Sequence, residues 1–375
     1  MEKKTNLTKL LIIDPQNDFS EYKEGVRSYG PLGVSNSNND YENIAKLISS
    51  GKFDEIHVSL DTHTPYHIGH AGFYKNANLT AETYAGQENE NLVPVSDLKN
   101  TNVIDYPIEV TKPATGIEQY MNTYRKLHEN KGPVMLWPYH CIENSIGHQI
   151  VNELIDPLDK QKDKVKYHIK GQNEMAEMYS IFSAAVTPDM VGKKNGNTIP
   201  YRYQGNIVEI DKHPKAKQYK TDFLGTGVNS YKDAINCVNL EVNLNTKLLD
   251  KLLEEDSKVY ICGEAKSHCV KDSAMDMLKY KNGAHKQQIF LLKDCTSPVK
   301  LPDSVPNAST LNKIFLKNAT ELEEAFGGNI TTSTEFLESA QTAGKRSRTR
   351  KRSKRKRTQR KQKRSQRKRT RRSRR

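Results

Sequence analysis

Six short apolar runs recur along the chain: KLLIIDP (9–15), FDEIHVSLD (53–61), PVMLWP (133–138), KVKYHIKG (164–171), KVYICGE (258–264) and QQIFLLKD (287–294). Between them lie stretches of helical spacing at YENIAKLISSGK (41–52), IEQYMNTYRKLHEN (117–130), about Asn173 to Ala185, TKLLDKLLEEDS (246–257) and after Ser267. Strands that are apolar at successive positions have no face to give to water, so they belong in a sheet covered on both sides. Strands and helices taken in turn connect such a sheet in parallel, which predicts a three-layer α/β domain. Ligands of such domains sit beyond the carboxyl ends of the strands.

Two stretches break the alternation. Residues 71–115 are rich in Asn, Glu, Thr and Pro, and 186–244 hold turn signals with one strand-like run, NIVEI (206–210); both read as insertions on the core. A last helix is expected within 306–328, limited by Gly327 and Gly328, so the domain runs over 1–328 and 329–344 reads as linker. From Lys345 to Arg375, 21 of 31 residues are Lys or Arg, with no acid and no apolar side chain. Such a segment has nothing to bury against its ordering entropy, which predicts disorder. With 21 of the 59 basic residues in this tail, the remaining 38 face all 45 acids, a net of −7 for the body against +14 for the whole chain. The basic character therefore belongs to the tail alone.

The opening MEKKTNLTKLLIIDP has an apolar run of only four residues, too short for a leader core or a membrane span. Five cysteines (Cys141, Cys237, Cys262, Cys269, Cys295) form no paired spacing and read as free thiols. A soluble intracellular protein of cytoplasm or nucleus is the expectation.

Several strands end in side chains of catalytic type: Asp14, Asp61 with His63 and His67, His140, Lys170, and Cys269 shortly after its strand. A cysteine at a helix N-terminus has its thiolate favoured by the helix dipole and free N–H groups, and a neighbouring Lys adds to this. An Asp in reach can take the thiol proton, and the N–H groups of the strand-to-helix turn can hold an oxyanion. In D-T-H-x-x-x-H, Asp61 and His63 can share a metal with a third ligand in loop reach, where His67 and His70 compete.

LLIIDPQNDFS (10–20), HVSLDTHTPYH (57–67), LWPYHCIENSIGH (136–148), KGQNEMAEMYSIF (170–182) and ICGEAKSHCV (261–270) together resemble, in order, the motifs of the isochorismatase-like cysteine hydrolases, and among them the nicotinamidases, in a larger-than-usual subgroup. The resemblance implies an isochorismatase-like, Rossmann-like fold and a triad of Asp14 as general base, Lys170 and the nucleophile Cys269. It implies one divalent ion (Zn, Mn or Fe) on Asp61, His63 and His140 with His67 as the nearest match for a further ligand, and no organic cofactor. It also implies a cis peptide at Glu264–Ala265, an oxyanion hole from the N–H groups of Ala265 and Cys269, and substrate contacts from Phe19 and Trp137, the only Trp of the chain. The sequence departs from the family at Thr62, where nicotinamidases usually carry an aromatic, at AKSH before Cys269, and in the long spacings between motifs.

The reaction implied is hydrolysis of a small amide, such as nicotinamide, to acid and ammonia through a Cys269 thioester. Another amide or an isochorismatase-type reaction are alternatives; isochorismatases lack the metal set, which weighs against the latter. A rival of another class is a nucleic-acid-binding or packaging protein acting through 345–375. Such a run neutralises phosphates without sequence preference, and its lack of aromatics argues against base stacking. An import receptor or an anionic surface would suit the same tail, Ser347, Thr349, Ser353 and Thr358 offer phosphorylation sites within it, and a homo-oligomer stays open.

Overall fold

The computed structural model describes residues 6–21, 30–70, 73, 123, 137–187, 202–204, 206–207, 227–301, 303 and 308–339. Contacts divide the chain into one unit over Met1–Thr331 and a second over Thr332–Arg375. The first is built on β1 (Thr8–Ile13), α1 (Ser37–Ser49), β2 (Glu55–Asp61), α2 (Asn152–Lys160) and β3 (Val165–Lys170). It continues with a two-stranded antiparallel piece, β4 (Arg202–Tyr203) and β5 (Asn206–Ile207), then α3 (Tyr231–Ile235), α4 (Thr246–Leu252) and β6 (Lys258–Gly263). α5 (Cys269–Lys279), β7 (Ile289–Leu292), α6 (Ala308–Phe326) and β8 (Ile330–Thr331) complete it.

Six strands form one parallel sheet in the order β3-β2-β1-β6-β7-β8; the parallel arrangement is the one the alternation of runs predicts, and five of the strands are such runs, β8 being the exception. Leu10, Leu11, Ile12 and Ile13 are all fully buried, so β1 has cover on both faces. On one face Leu11, Ile13, Val259, Ile261, Ile289 and Leu291 pack with α4, α5 and α6 through Leu248, Leu252, Met277 and Leu322. The opposite face carries Leu10, Ile12 and Val58 by the two-residue period of strands, and α1 with α2 lie on that side, burying Ile44, Leu47, Leu154 and Leu158. Each such Leu or Ile contributes about 1.5–3 kcal/mol on burial.

The register places the functional edge. Ile13 pairs with Gly263 and Asp61 with Lys170, so β1, β2, β3 and β6 stop at one level. Gly263 has φ +105, and a Cβ there would stand 2.1 Å from the Ile13 carbonyl oxygen. Only glycine lets β6 turn so close to β1.

Two sequence expectations are corrected. No helix forms between Asn173 and Ala185, which is irregular. Its polar side chains take the backbone donors that a helix would need: Asn173 Oδ1 accepts from Met175 N (3.2 Å), Glu177 Oε1 from Met178 N (3.0 Å) and Ser180 Oγ from Phe182 N (3.0 Å). The segment is also buried nearly all round, polar residues included, so it has no solvent face. Second, 329–344 is not wholly linker. Ile330 and Thr331 pair with β7, extending the sheet, and 333–339 is helical. That helix opens on a capping box in which Glu335 N donates to Thr332 Oγ1 (3.1 Å) and Thr332 N to Glu335 Oε2 (2.9 Å). α2, which carries Pro157 inside it, is a helix beyond those read from the spacing. The insertion over 71–115, most of the 117–130 helix, the 133–136 part of PVMLWP and the 345–375 tail lie outside the described residues.

Candidate active site

Asp14 follows β1 directly and sits at φ 44, a left-handed conformation that non-glycine residues seldom adopt and that clusters at functional sites. Ser59 of β2 holds it from both ends: its hydroxyl donates to Asp14 Oδ1 (2.6 Å) and accepts from Asp14 N (3.0 Å). Lys170 closes β3 and is 1% exposed. Its ammonium donates to Asp61 Oδ1 (2.9 Å) and to the Met178 carbonyl (2.9 Å), and lies 3.0 Å from Asp14 Oδ2 and 3.8 Å from Cys269 Sγ. The contact with Asp14 Oδ2 is an ion pair without hydrogen-bond geometry, so this oxygen keeps its lone pairs. Cys269 is the first residue of α5 and is buried. The tertiary structure thus brings Asp14, Lys170 and Cys269 together from three strand ends.

Burial opposes the charge of Lys170, but Asp14 and Asp61 carry its pKa well above the usual lysine range, so it stays an ammonium. Burial also raises Asp14, which Lys170 pulls back and Asp61 pushes up again. The thiol of Cys269 is pushed far up by burial; Lys170 pulls it down, and Asp14 with Asp61 oppose that pull. A neutral thiol beside a carboxylate of raised basicity follows, where the sequence suggested a lysine-stabilised thiolate. Proton transfer to Asp14 then belongs to the reaction itself.

The peptide Glu264–Ala265 is cis. Ala265 O accepts from His268 N (3.0 Å) and Val270 N (3.1 Å), shaping the turn, while neither Ala265 N nor Cys269 N donates to a described protein group. Both N–H groups remain for a ligand oxygen.

The second group stands on the same edge. Gln16 fixes the Asp61 backbone, accepting from its N–H (2.7 Å) and donating to its carbonyl (2.8 Å). His63 donates from Nδ1 to the Gly171 carbonyl (2.9 Å), which leaves Nε2 as a lone pair 3.0 Å from Asp61 Oδ2. His140 likewise gives Nδ1 to the Pro138 carbonyl (2.8 Å), and its Nε2 lies 3.4 Å from the same carboxylate oxygen. Two imidazole lone pairs and an anionic oxygen facing one another call for a cation or protons between them. Burial lowers His63 but Asp61 carries it upward, in keeping with that demand.

His70 completes the group, since ligand atoms of His63, His70 and His140 lie within 4.8 Å of one another and His70 Nδ1 is buried with no hydrogen-bond partner. Gly171, at φ +83, leaves room for this cluster: a Cβ there would meet Asp61 Oδ1 at 2.7 Å and His63 Cε1 at 2.8 Å. His67 lies against His63, with ring centroids 4.0 Å apart, but both its nitrogens are engaged. Nε2 meets the Ala176 carbonyl (3.1 Å) and Nδ1 accepts from Gly69 N (3.0 Å). The residues present fit a divalent ion, with His70 better placed than His67 as the further ligand.

Phe19 and Trp137 pack into one apolar cluster with Ala265 and Phe315, on the side of the oxyanion turn. Trp137 Nε1 donates to the Tyr179 hydroxyl (2.8 Å), and its ring meets His268 edge-on at 5.2 Å. Phe19 stands 5.7 Å from the His140 ring. Asp18 secures this wall, accepting from Cys141 N (2.6 Å); burial lifts its carboxyl to about 6 against the pull of that N–H. Ser59, Gln16, Asp18 and Tyr179 escaped sequence reasoning, although HVSLD, DPQNDF and MYSIF place all four within the motifs quoted above.

No family model matches the sequence, and no curated protein does. Among solved structures the chain is similar to an Acinetobacter baumanii nicotinamidase/pyrazinamidase at 17% identity, covering 89% of this chain and 100% of that one, with a TM-score of 0.42. It is similar to the yeast nicotinamidase Pnc1p at 18% identity (87% and 99% covered, TM-score 0.44). The pyrazinamidase of Pyrococcus horikoshii in complex with zinc is matched at 17% (87% and 97%, TM-score 0.38). Each likeness stays under 20% identity and a TM-score of 0.5, so the chemistry of the chain rests on its own side chains.

Proposed function

We propose that the chain is a metal-dependent cysteine amidohydrolase that converts a small planar amide of the nicotinamide kind to its acid and ammonia. The observation that carries the reading is the convergence of Asp14, Lys170 and Cys269 beside Asp61, His63, His70 and His140 at one sheet edge. Asp14 takes the Cys269 proton as sulfur attacks the amide carbon, and the N–H groups of Ala265 and Cys269 receive the oxyanion. Asp14 returns the proton to the departing nitrogen, ammonia leaves, and a thioester remains. Asp14 then takes a proton from water, whose oxygen attacks the thioester, and gives that proton to the leaving sulfur. Lys170 holds Asp14 and Asp61 in place throughout. Asp61, His63, His70 and His140 would hold a divalent ion, which would supply Lewis acidity for orienting a ligand atom or water. Phe19 and Trp137 provide the wall against a flat ring.

Ammonia release across a panel of small amides, with and without chelator, tests the reading. Purified chain that binds metal and releases no ammonia from any member sinks it. The ligand set has its own test: His70→Ala is expected to cost about 10-fold or more in zinc or manganese affinity, while His67→Ala keeps the metal stoichiometry at saturation. Equal loss of stoichiometry in both would return His67 to the set.

The tail supports a second, compatible activity. Its 21 cations in 31 residues suit a polyanion, and nucleic acid is the partner proposed. Binding to a duplex of arbitrary sequence should weaken steeply with salt, by about 10³-fold or more between 50 and 200 mM, and vanish on truncation after Gly344. Binding unchanged by truncation would remove the tail from the account.

A further inference from the structure

Behind the oxyanion turn, away from the metal ligands, lies a second set of buried titratable groups. Glu264 ends β6 with no solvent exposure, and Asp40 of α1 is 1% exposed. Their carboxyls converge on Ser297, whose hydroxyl donates to Asp40 Oδ2 (2.5 Å) and whose N–H reaches Glu264 Oε2 (3.4 Å). Two carboxylates side by side inside a protein cannot both be ionised unless a cation joins them. The cation beside them is Lys266, and its ammonium is bonded to Glu323. The other groups around the pair bring no positive charge: Tyr41 from α1, Cys262 from β6, and Asp294, Cys295, Thr296 and Ser297 from the segment after β7. A single shared proton is what neutralises the pair.

Donor geometry says which partner keeps it. Asp40 Oδ2 accepts from the Ser297 hydroxyl (2.5 Å) and Oδ1 from Asn36 Nδ2 (3.4 Å), while Asn36 also donates to Ser297 Oγ (3.1 Å). Glu264 receives only a long contact from Ser297 N to Oε2 (3.4 Å), and its Oε1 has no donor. Asp40 is thus solvated as an anion and Glu264 is not. The backbone on either side of Ala265 is pinned in the same region, by Glu264 N to the Ile13 carbonyl (2.8 Å) and Lys266 N to the Ser297 carbonyl (2.9 Å).

We propose that Glu264 is a positioning residue for the oxyanion hole: as a neutral acid it donates its proton to Asp40, tying the turn that carries Ala265 N–H to α1. Burial first, and Asp40 next, hold the Glu264 carboxyl well above the ordinary range, in agreement. When the proton is lost at alkaline pH the two anions repel, the Ala265 N–H leaves its aim, and the rate of acylation falls while substrate affinity stays. The kinetic part of this inference rests on the amidohydrolase reading; the shared proton does not.

The test uses the full chain loaded with metal. Infrared spectra should show the C=O stretch of a protonated carboxyl at neutral pH, and Glu264→Gln should remove it. Glu264→Gln keeps a donor toward Asp40, so kcat should stay within about threefold and the alkaline fall attributable to this group should disappear. Glu264→Met should lower kcat about 10- to 100-fold with KM within twofold, the size of a displaced oxyanion donor. No infrared difference between the unaltered chain and Glu264→Gln overturns the shared proton. An intact kcat in Glu264→Met, or an alkaline limb unchanged in Glu264→Gln, overturns the positioning role. Absence of ammonia release by the unaltered chain overturns the amidohydrolase reading alone, and the infrared band then decides the pair.

Discussion

Replacing Cys269 by alanine should abolish turnover of any amide the chain hydrolyses, lowering kcat by about 10⁵- to 10⁶-fold, as removal of a covalent nucleophile does elsewhere. The residue fills a small buried volume at the head of α5, so the variant should fold and keep its metal. The sharper readout is a burst experiment. The unaltered chain, mixed with excess amide at low temperature, should release ammonia in the first turnover at least as fast as acid, because ammonia leaves on acylation and acid on hydrolysis of the thioester. Alkylation of the chain should occur at Cys269, with Cys262 spared: Cys262 is fully buried within β6, and its thiol contacts the Leu11 carbonyl (3.7 Å). A Cys269→Ala variant that retains more than about a hundredth of the rate would end the covalent mechanism, whatever the substrate.

Lys170→Met should strike stability before it strikes rate. The ammonium lies between two buried carboxylates, 3.0 Å from Asp14 Oδ2 and 2.9 Å from Asp61 Oδ1, and removing one partner of a buried ion cluster costs about 3–5 kcal/mol because the other charges are left uncompensated. All three groups are buried, so solvent offers no screening. The deficit should depend on pH. With its counter-cation gone, Asp14 has a folded pKa raised still further above its unfolded value, so the unfolded chain ionises first and stability falls as pH rises through that interval. Urea midpoints should therefore recover toward acid pH, and Asp14→Asn in the same chain should recover part of the loss at neutral pH. An additive double variant, with no coupling between positions 14 and 170, would show that the cluster is not the source.

The residues show how far the chain itself can be read. Apolar runs at successive positions require cover on two faces, and that requirement alone leads to a parallel sheet, hence to strand ends gathered on one edge. Asp14, Asp61, Lys170 and Cys269 could be picked out because each stands at or just after such a run, where the geometry of the fold does the gathering. Periodicity failed at 173–185, where methionine, isoleucine and phenylalanine at helical spacing are buried from every side and side-chain oxygens take the backbone donors. It also passed over α2, where one proline masks an otherwise regular pair, Leu154 and Leu158.

What the sequence by itself determined was a set of candidate side chains and the edge on which they must lie, because both follow from local pattern and strand direction. Only the tertiary structure could choose between His67 and His70, since both lie in loop reach of His63 and the choice turns on the Ala176 carbonyl that occupies His67. Only it could show that burial pushes the Cys269 thiol up, with Lys170 pulling it down and Asp14 and Asp61 opposing that pull. Only it could bring Asp40 of α1 beside Glu264 at Ser297, giving the Glu of the ICGEAKSHCV motif a neighbour that no local spacing contains.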